Sequence, residues 1–251
     1  MDRCTSCGRE LPEGADFCEH CGQRPSGESM GAYEVKDPFT GPLFEVPIRE
    51  YIRTGWQTFW QYPAAFIGFS LIIMLALAVL ITVQRKIPLI GSLLAAAMTP
   101  LYAGIYIVSA KLLQRQTCTF SDFFSGFHYF QPLVIFGLIF GILGWIGQLF
   151  LHYLLLFFLV SLVSLALRLL LIFTPFLIID RRLGLWEAME LSLRTVTRRW
   201  PQFLGFIFLG GLLAVAGVIA LGIGVLVTFP LFLCALTAAY ADLFGLQSKE
   251  Y

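Results

Sequence analysis

Charge is scarce in this 251-residue chain: Asp, Glu, Lys and Arg together make up 13% of it, against 58% hydrophobic and 15% aromatic residues. An ordinary soluble domain carries roughly 25% charged residues, so a water-soluble fold of this size could not cover its own surface. Histidine is also rare, with only His20, His128 and His152, and they are dispersed. Paired carboxylates, a Ser-His-Asp arrangement, a glycine-rich phosphate loop and a His-x-x-x-His pair are all missing after residue 46. An enzyme is therefore not expected. A net charge of +1 gives no support to nucleic-acid binding. No secretory signal peptide is expected either, because the N-terminal stretch is polar and rich in cysteine.

What remains is apolar and long. Uncharged runs suggest spans at 63–83, 88–110, 132–150, 154–179, 201–220 and 225–244, each near the 20 residues a helix needs to cross roughly 30 Å of hydrocarbon. The expected fold is all-α: a membrane protein with six transmembrane helices in three hairpins. Pro63, Pro132 and Pro201 each open an odd-numbered span, and Pro100, Pro175 and Pro230 fall inside the even-numbered ones. The spacing predicts an internal repeat of amphipathic helix, Pro-initiated span, tight turn and Pro-containing return span. The amphipathic segments carry apolar stripes of Ile48, Ile52, Trp56 or Phe59, and Tyr62, then Phe120, Phe123, Phe124 and Phe127, then Leu185, Met189, Leu193, Val196 and Trp200. Such stripes suit helices lying in the headgroup plane, with core packing as the alternative. Gly137, Gly141 and Gly144 on the third span permit close helix packing.

Lys and Arg set the expected orientation. Lys36, Arg49, Arg53, Lys111, Arg115, Arg181, Arg182, Arg194, Arg198, Arg199 and Lys249 flank one side, against Arg85 and Lys86 on the other. The positive-inside rule then puts both termini in the cytoplasm, including a tail at 247–251, and the amphipathic helices on that face.

Before the spans, Cys4, Cys7, Cys18 and Cys21 form a C-x2-C-x10-C-x2-C pattern with Gly8 and Gly22 after the two pairs. Two knuckles of this kind converge four thiolates on one tetrahedral Zn²⁺, a closed structural site with no open position for catalysis. Zinc would supply the folding free energy that residues 1–24 lack in a core. Two disulfides are the alternative and need an oxidising compartment. Residues 25–46, rich in Gly, Pro and Ser, read as a flexible linker, and 47–246 as the membrane domain.

CTSCG and DFCEHCG resemble the short zinc ribbons fused to many bacterial and archaeal membrane or secretion-related proteins. That resemblance covers about residues 3–24 and implies a structural zinc on Cys4, Cys7, Cys18 and Cys21. TFSDFFSGFHYFQP and FTPFLIIDRRLGLWEAMELSLRTVTRRWP resemble uncharacterised prokaryotic multi-pass membrane proteins whose spans follow helices ending in an aromatic-Pro step. The resemblance implies a prokaryotic cytoplasmic membrane and carries no activity onto particular residues.

One charge, Arg168, falls well inside an expected span, where it would contact a lipid phosphate or an anionic substrate, or else snorkel to the interface. Asp180 reads as the end of a span, and Asp242 as a helix-terminal charge or a partner for a basic residue. Two functions are compatible with these features. The first is a non-enzymatic scaffold or adaptor whose ribbon contacts a cytosolic protein while the helices sit in the lipid bilayer. The alternative is a transporter or lipid-handling protein with a site near Arg168. The ribbon is testable alone: the purified chain should hold one zinc per polypeptide by elemental analysis, and Cys7→Ser should abolish it. Retention of stoichiometric zinc by that variant would contradict the four-thiolate site.

Overall fold

The computed structural model describes residues 47–150, 153–219 and 224–247. The ribbon with its four cysteines, the linker to residue 46, His20, His152 and the tail from residue 248 lie outside the described residues. Within them the chain is helical throughout, with no strand among the described residues. Ten α-helices run in order among the described residues: α1 Ile48–Gln61, α2 Pro63–Lys86, α3 Pro88–Ala97, α4 Thr99–Leu113, α5 Phe130–Leu149, α6 Leu154–Leu170, α7 Thr174–Asp180, α8 Leu185–Arg198, α9 Trp200–Ile219 and α10 Val225–Phe244. A 3-10 helix, Phe120–Tyr129, precedes α5.

Among the described residues, five stretches are long and apolar enough to cross a membrane: Pro63–Lys86, Pro88–Leu113, Phe120–Leu149, Leu154–Asp180 and Val225–Phe244. The stretch Trp200–Leu213 of the helix Trp200–Ile219, overlapping the expected span 201–220, is also apolar. The expected spans 88–110 and 154–179 are each broken in two, at Met98 and at Leu171–Phe173. Both breaks lie just before a proline: Pro100 and Pro175 occupy the first turn of α4 and α7. A first-turn proline loses no helical hydrogen bond, but its ring obstructs the carbonyl four residues earlier, so a preceding helix cannot run through it. Pro230 lies inside α10 without ending it.

Each return helix ends on a residue with positive φ: Arg115 at 57°, Arg182 at 52° and Gly245 at 71°. At Arg115 the turn closes as a Schellman motif, with the Gln116 N–H donating to the Lys111 carbonyl at 2.9 Å and the Arg115 N–H to Leu112 at 3.0 Å.

In the amphipathic segments much of each apolar stripe is exposed, and small residues are buried beside Phe59 and Val196 instead. In α1 the buried residues are Tyr51, Gly55, Thr58 and Phe59, while Trp56 and Trp60 are exposed. In α8 they are Ala188, Ser192, Thr195 and Val196, while Trp186 is 75% exposed and Leu193 and Trp200 are also exposed. Of the four phenylalanines expected on one stripe before α5, only Phe123 is buried; Phe120, Phe124 and Phe127 are exposed. That segment is also a 3-10 helix rather than the α-helix its spacing suggests. Close approach explains this arrangement, because inward faces of Gly, Ala, Ser and Thr let backbones pack tightly and leave bulky side chains outside. A Cβ on Gly55 would stand 2.6 Å from the Ala235 backbone nitrogen of α10.

The core centres on α10, with α1, α2, α4 and α7 around it. Phe66 and Phe69 of α2 clasp Phe123, with ring centroids 5.4 and 4.7 Å apart. The Thr119 N–H donates to the Asp122 carboxylate at 2.7 Å, and Lys111 of α4 pairs with the same carboxylate at 2.9 Å. These contacts tie the 3-10 helix to α4.

Gly245, at φ 71° and ψ 140°, has space around it for a Cβ but a backbone geometry that L residues rarely adopt. Gly245→Ala should therefore lower stability by about 1–3 kcal/mol, read as a fall of several degrees in the thermal midpoint of the detergent-solubilised protein. An unchanged midpoint would contradict the assigned backbone.

Candidate functional site: the Arg168 cleft

Arg168 lies in the last turn of α6, just before the break that separates α6 from α7. The break is pinned from α8, where Ser192 Oγ accepts from the Phe173 N–H at 3.3 Å and donates to the Leu170 carbonyl at 2.9 Å. The guanidinium sits over the Phe140 ring of α5, 4.7 Å from its centroid. Among the described residues no carboxylate forms an ion pair with it.

Magnitudes show what this arrangement leaves undone. A cation over an aromatic face gains about 0.5–1 kcal/mol when exposed and about 2 when desolvated. An arginine at the centre of a membrane helix costs about 2.5–3.5 kcal/mol on insertion scales. If this helix crosses a membrane with Arg168 at its centre, Phe140 alone would not offset that cost, and a further acceptor would be needed.

Arg168 faces a cleft of about 570 Å³ bounded by α2, α3, α4, α5, α6, α7 and α9. Most of the wall is aliphatic or phenyl. The polar side chains on it are Gln84, Ser92, Thr99, Tyr102, Tyr106, Gln148 and Arg168 itself. Gln84 Nε2 donates to Ser92 Oγ at 3.2 Å. Glycine makes the space: on α5, a Cβ on Gly137 or Gly141 would meet the backbone of α3, whereas one on Gly144 would meet nothing within 4 Å. Gly137 and Gly141 thus fulfil the packing role expected of the three glycines. All three line the cleft, and Gly144 does so without meeting a neighbouring helix.

Sequence reasoning singled out Arg168 and missed its surroundings. Tyr102 and Tyr106, four residues apart on α4, share a helix face and were a readable signal. Gln84 and Gln148, near the ends of α2 and α5, carried only the weak signal of polar residues at a span boundary. Asp180 is buried, accepting from the Tyr240 hydroxyl at 3.0 Å and from the Gln247 N–H at 3.1 Å, so it does more than mark a helix end. Asp242 is partnered by a tyrosine rather than a basic residue: the Tyr51 hydroxyl donates to it at 2.7 Å. Burial and the Asp242 carboxylate hold the Tyr51 phenol well above its usual pKa, so it remains a donor. Cys234 is buried against Ser109 Oγ at 3.2 Å, His128 bonds locally to the Ser125 carbonyl, and Cys118 is half-buried. No group of three or more His, Cys, Asp and Glu side chains capable of holding a metal occurs among the described residues.

Comparison with known proteins finds a zinc-ribbon domain family whose model matches residues 3–24, a stretch containing Cys4, Cys7, Cys18 and Cys21. No curated protein and no solved structure matches the chain. The four-thiolate donor set fits a closed structural zinc site.

The two glycine environments give a direct check. Gly144→Leu should leave the detergent-solubilised protein monodisperse with an unchanged thermal midpoint, while Gly141→Leu should destabilise it by about 1–3 kcal/mol through overpacking against Ser92. Equal losses for both would show that Gly144 does not face open space.

Proposed function

We propose that this chain is a lipid-handling integral membrane protein that binds an anionic amphiphile in the Arg168 cleft. Its zinc ribbon acts as a binding module for a cytosolic partner. The observation that carries this reading is an arginine without a carboxylate partner among the described residues, facing an otherwise largely apolar cleft on an apolar helix. A lipid phosphate or a fatty carboxylate supplies the missing acceptor, and the aliphatic wall takes the chain attached to it. Phe140 holds the guanidinium so that its fork is not free to fold back.

The same reading has six spans in three related hairpins, with both termini in the cytoplasm of a prokaryotic cell. The positive-φ ends at Arg115, Arg182 and Gly245, one per return helix, support the threefold pattern. The exposed Trp56, Trp60, Trp186 and Trp200 support a headgroup-plane position for α1, α8 and the start of α9. The role is binding rather than catalysis, and the ribbon's zinc is structural. The match at residues 3–24 to a zinc-ribbon domain supports the ribbon as the binding module of this reading.

Binding is measured with the full chain in detergent, using fluorescent phosphatidylglycerol, oleate and zwitterionic phosphatidylcholine as separate probes. The first two distinguish a phosphate ligand from a carboxylate ligand. Arg168→Leu should weaken the preferred anionic probe about tenfold or more, the loss of one charge-assisted hydrogen bond. Phosphatidylcholine should bind weakly to both proteins. Equal affinity for all three probes, or an unaffected Arg168→Leu, would contradict the reading.

A further inference from the structure

The depth of Arg168 is the starting point. Gln148 lies eight residues beyond Phe140 on α5, about 12 Å at 1.5 Å per residue, and Phe140 is the ring beneath the guanidinium. Gln84 and Ser92 meet at the same end of the cleft, beside Arg85 and Lys86 at the end of α2. In the other direction, the twelve residues from Arg168 to Asp180 extend up to about 18 Å. Taking Gln84 and Gln148 as one edge and Asp180 as the other edge of a hydrocarbon core roughly 30 Å thick places Arg168 near its middle. A lipid at rest in either leaflet keeps its charged head at the surface, so a head that reaches Arg168 has left its leaflet.

The cleft supplies a graded route to that point. Neutral hydrogen-bonding groups, Gln84, Ser92 and Gln148, stand at the rim. Tyr102, Tyr106 and the guanidinium stand below them. The acyl chains need no channel of their own, because α6, which carries Arg168, has no buried residue and presents Leu155, Phe158, Leu162 and Val163 outward.

Beyond Arg168 the route stops at aromatic rings. Tyr106 stacks on Phe176 with centroids 4.0 Å apart, and Phe176 stacks on Tyr240 at 5.1 Å. On the far side lies a second cavity of about 10 Å³, lined by Tyr106, Phe176, Asp180 and Tyr240 among others. It is large enough for about one water molecule. Tyr106 borders both cavities. The rings belong to α4, α7 and α10, and both α4 and α7 start at proline-marked breaks, where helices turn as units.

We propose that the Arg168 cleft is one half of a transbilayer path for the headgroups of anionic phospholipids, closed on the Asp180 side by the Tyr106–Phe176–Tyr240 stack. This rests on the anionic-amphiphile reading above, with a lipid phosphate as the ligand. Arg168 stabilises the phosphate at mid-membrane, where desolvation is otherwise most costly, and passage beyond it requires the Tyr106–Phe176–Tyr240 stack to part, because the cavity behind it holds only about one water molecule.

The full chain is reconstituted into vesicles containing phosphatidylglycerol labelled on one acyl chain, or the matching phosphatidylcholine, and external dithionite reports how fast inner-leaflet label becomes accessible. Labelled phosphatidylglycerol should exchange faster than in protein-free vesicles and faster than phosphatidylcholine. Arg168→Leu and Gly144→Leu should each slow it about tenfold or more, the former by removing the mid-membrane charge and the latter by filling the cleft. Tyr106→Ala should speed it by opening the closure; an unchanged or slower rate would overturn that assignment. Exchange no faster than in protein-free vesicles, or equal for both lipids, would overturn the path. If phosphatidylglycerol or oleate nevertheless binds through Arg168, the binding reading survives; if neither binds, both fall together.

Discussion

Hydrocarbon leaves a charge few partners, and the site in this protein is shaped by how one guanidinium meets that constraint. Arg168 is carried by the least buried long helix in the protein. Its neighbours on α6 are Leu, Val, Ala and Ser, and its nearest favourable contact is the face of Phe140. The helices around it are arranged so that the space in front of it stays open. Gly137 and Gly141 draw α5 against α3, Gly144 leaves room above, and Ser192 fixes the end of α6. A cleft of this size in front of an arginine with no carboxylate partner among the described residues is the basis of the proposed site for an anion with an apolar attachment.

The rest of the membrane body is stiff by comparison. Phe66, Phe69 and Phe123 interlock, α1 lies along α10 with Gly55 against Ala235, and the Tyr51–Asp242 and Tyr240–Asp180 hydrogen bonds join distant parts of the chain. Buried polar pairs of this kind satisfy groups that neither lipid nor an apolar core could. The helices are interrupted at Met98 and at Leu171–Phe173, and both interruptions border the cleft.

Much of this was legible in the sequence. Hydropathy located the long helices to within a few residues, and proline marked where α2, α5 and α9 open, because its missing N–H and fixed φ constrain the backbone locally whatever surrounds it; Pro100 and Pro175, expected inside the return spans, instead begin α4 and α7. Arg168 stood out because a charge within an apolar run is costly wherever the run packs. The inward faces of α1 and α8 were not legible. Their apolar stripes suggest helices lying in the headgroup plane, with core packing as the alternative; Phe59 and Val196 of those stripes are buried beside Gly55, Ala188, Ser192 and Thr195, while Trp56, Leu193 and Trp200 are exposed. In water large apolar residues seek the interior; beside lipid that preference vanishes, and closeness of backbones decides. The tyrosine partner of Asp242, 191 residues away in sequence, likewise depends on tertiary contacts that no local pattern encodes.

The most direct measurement is a cryo-electron microscopy structure of the full chain in nanodiscs of phosphatidylglycerol. Headgroup density is expected against the Arg168 guanidinium, opposite Phe140, with acyl density leaving the cleft toward the lipid. A cleft collapsed onto its own side chains, or an arginine extended to the membrane surface with no lipid head beside it, would contradict a lipid site at Arg168.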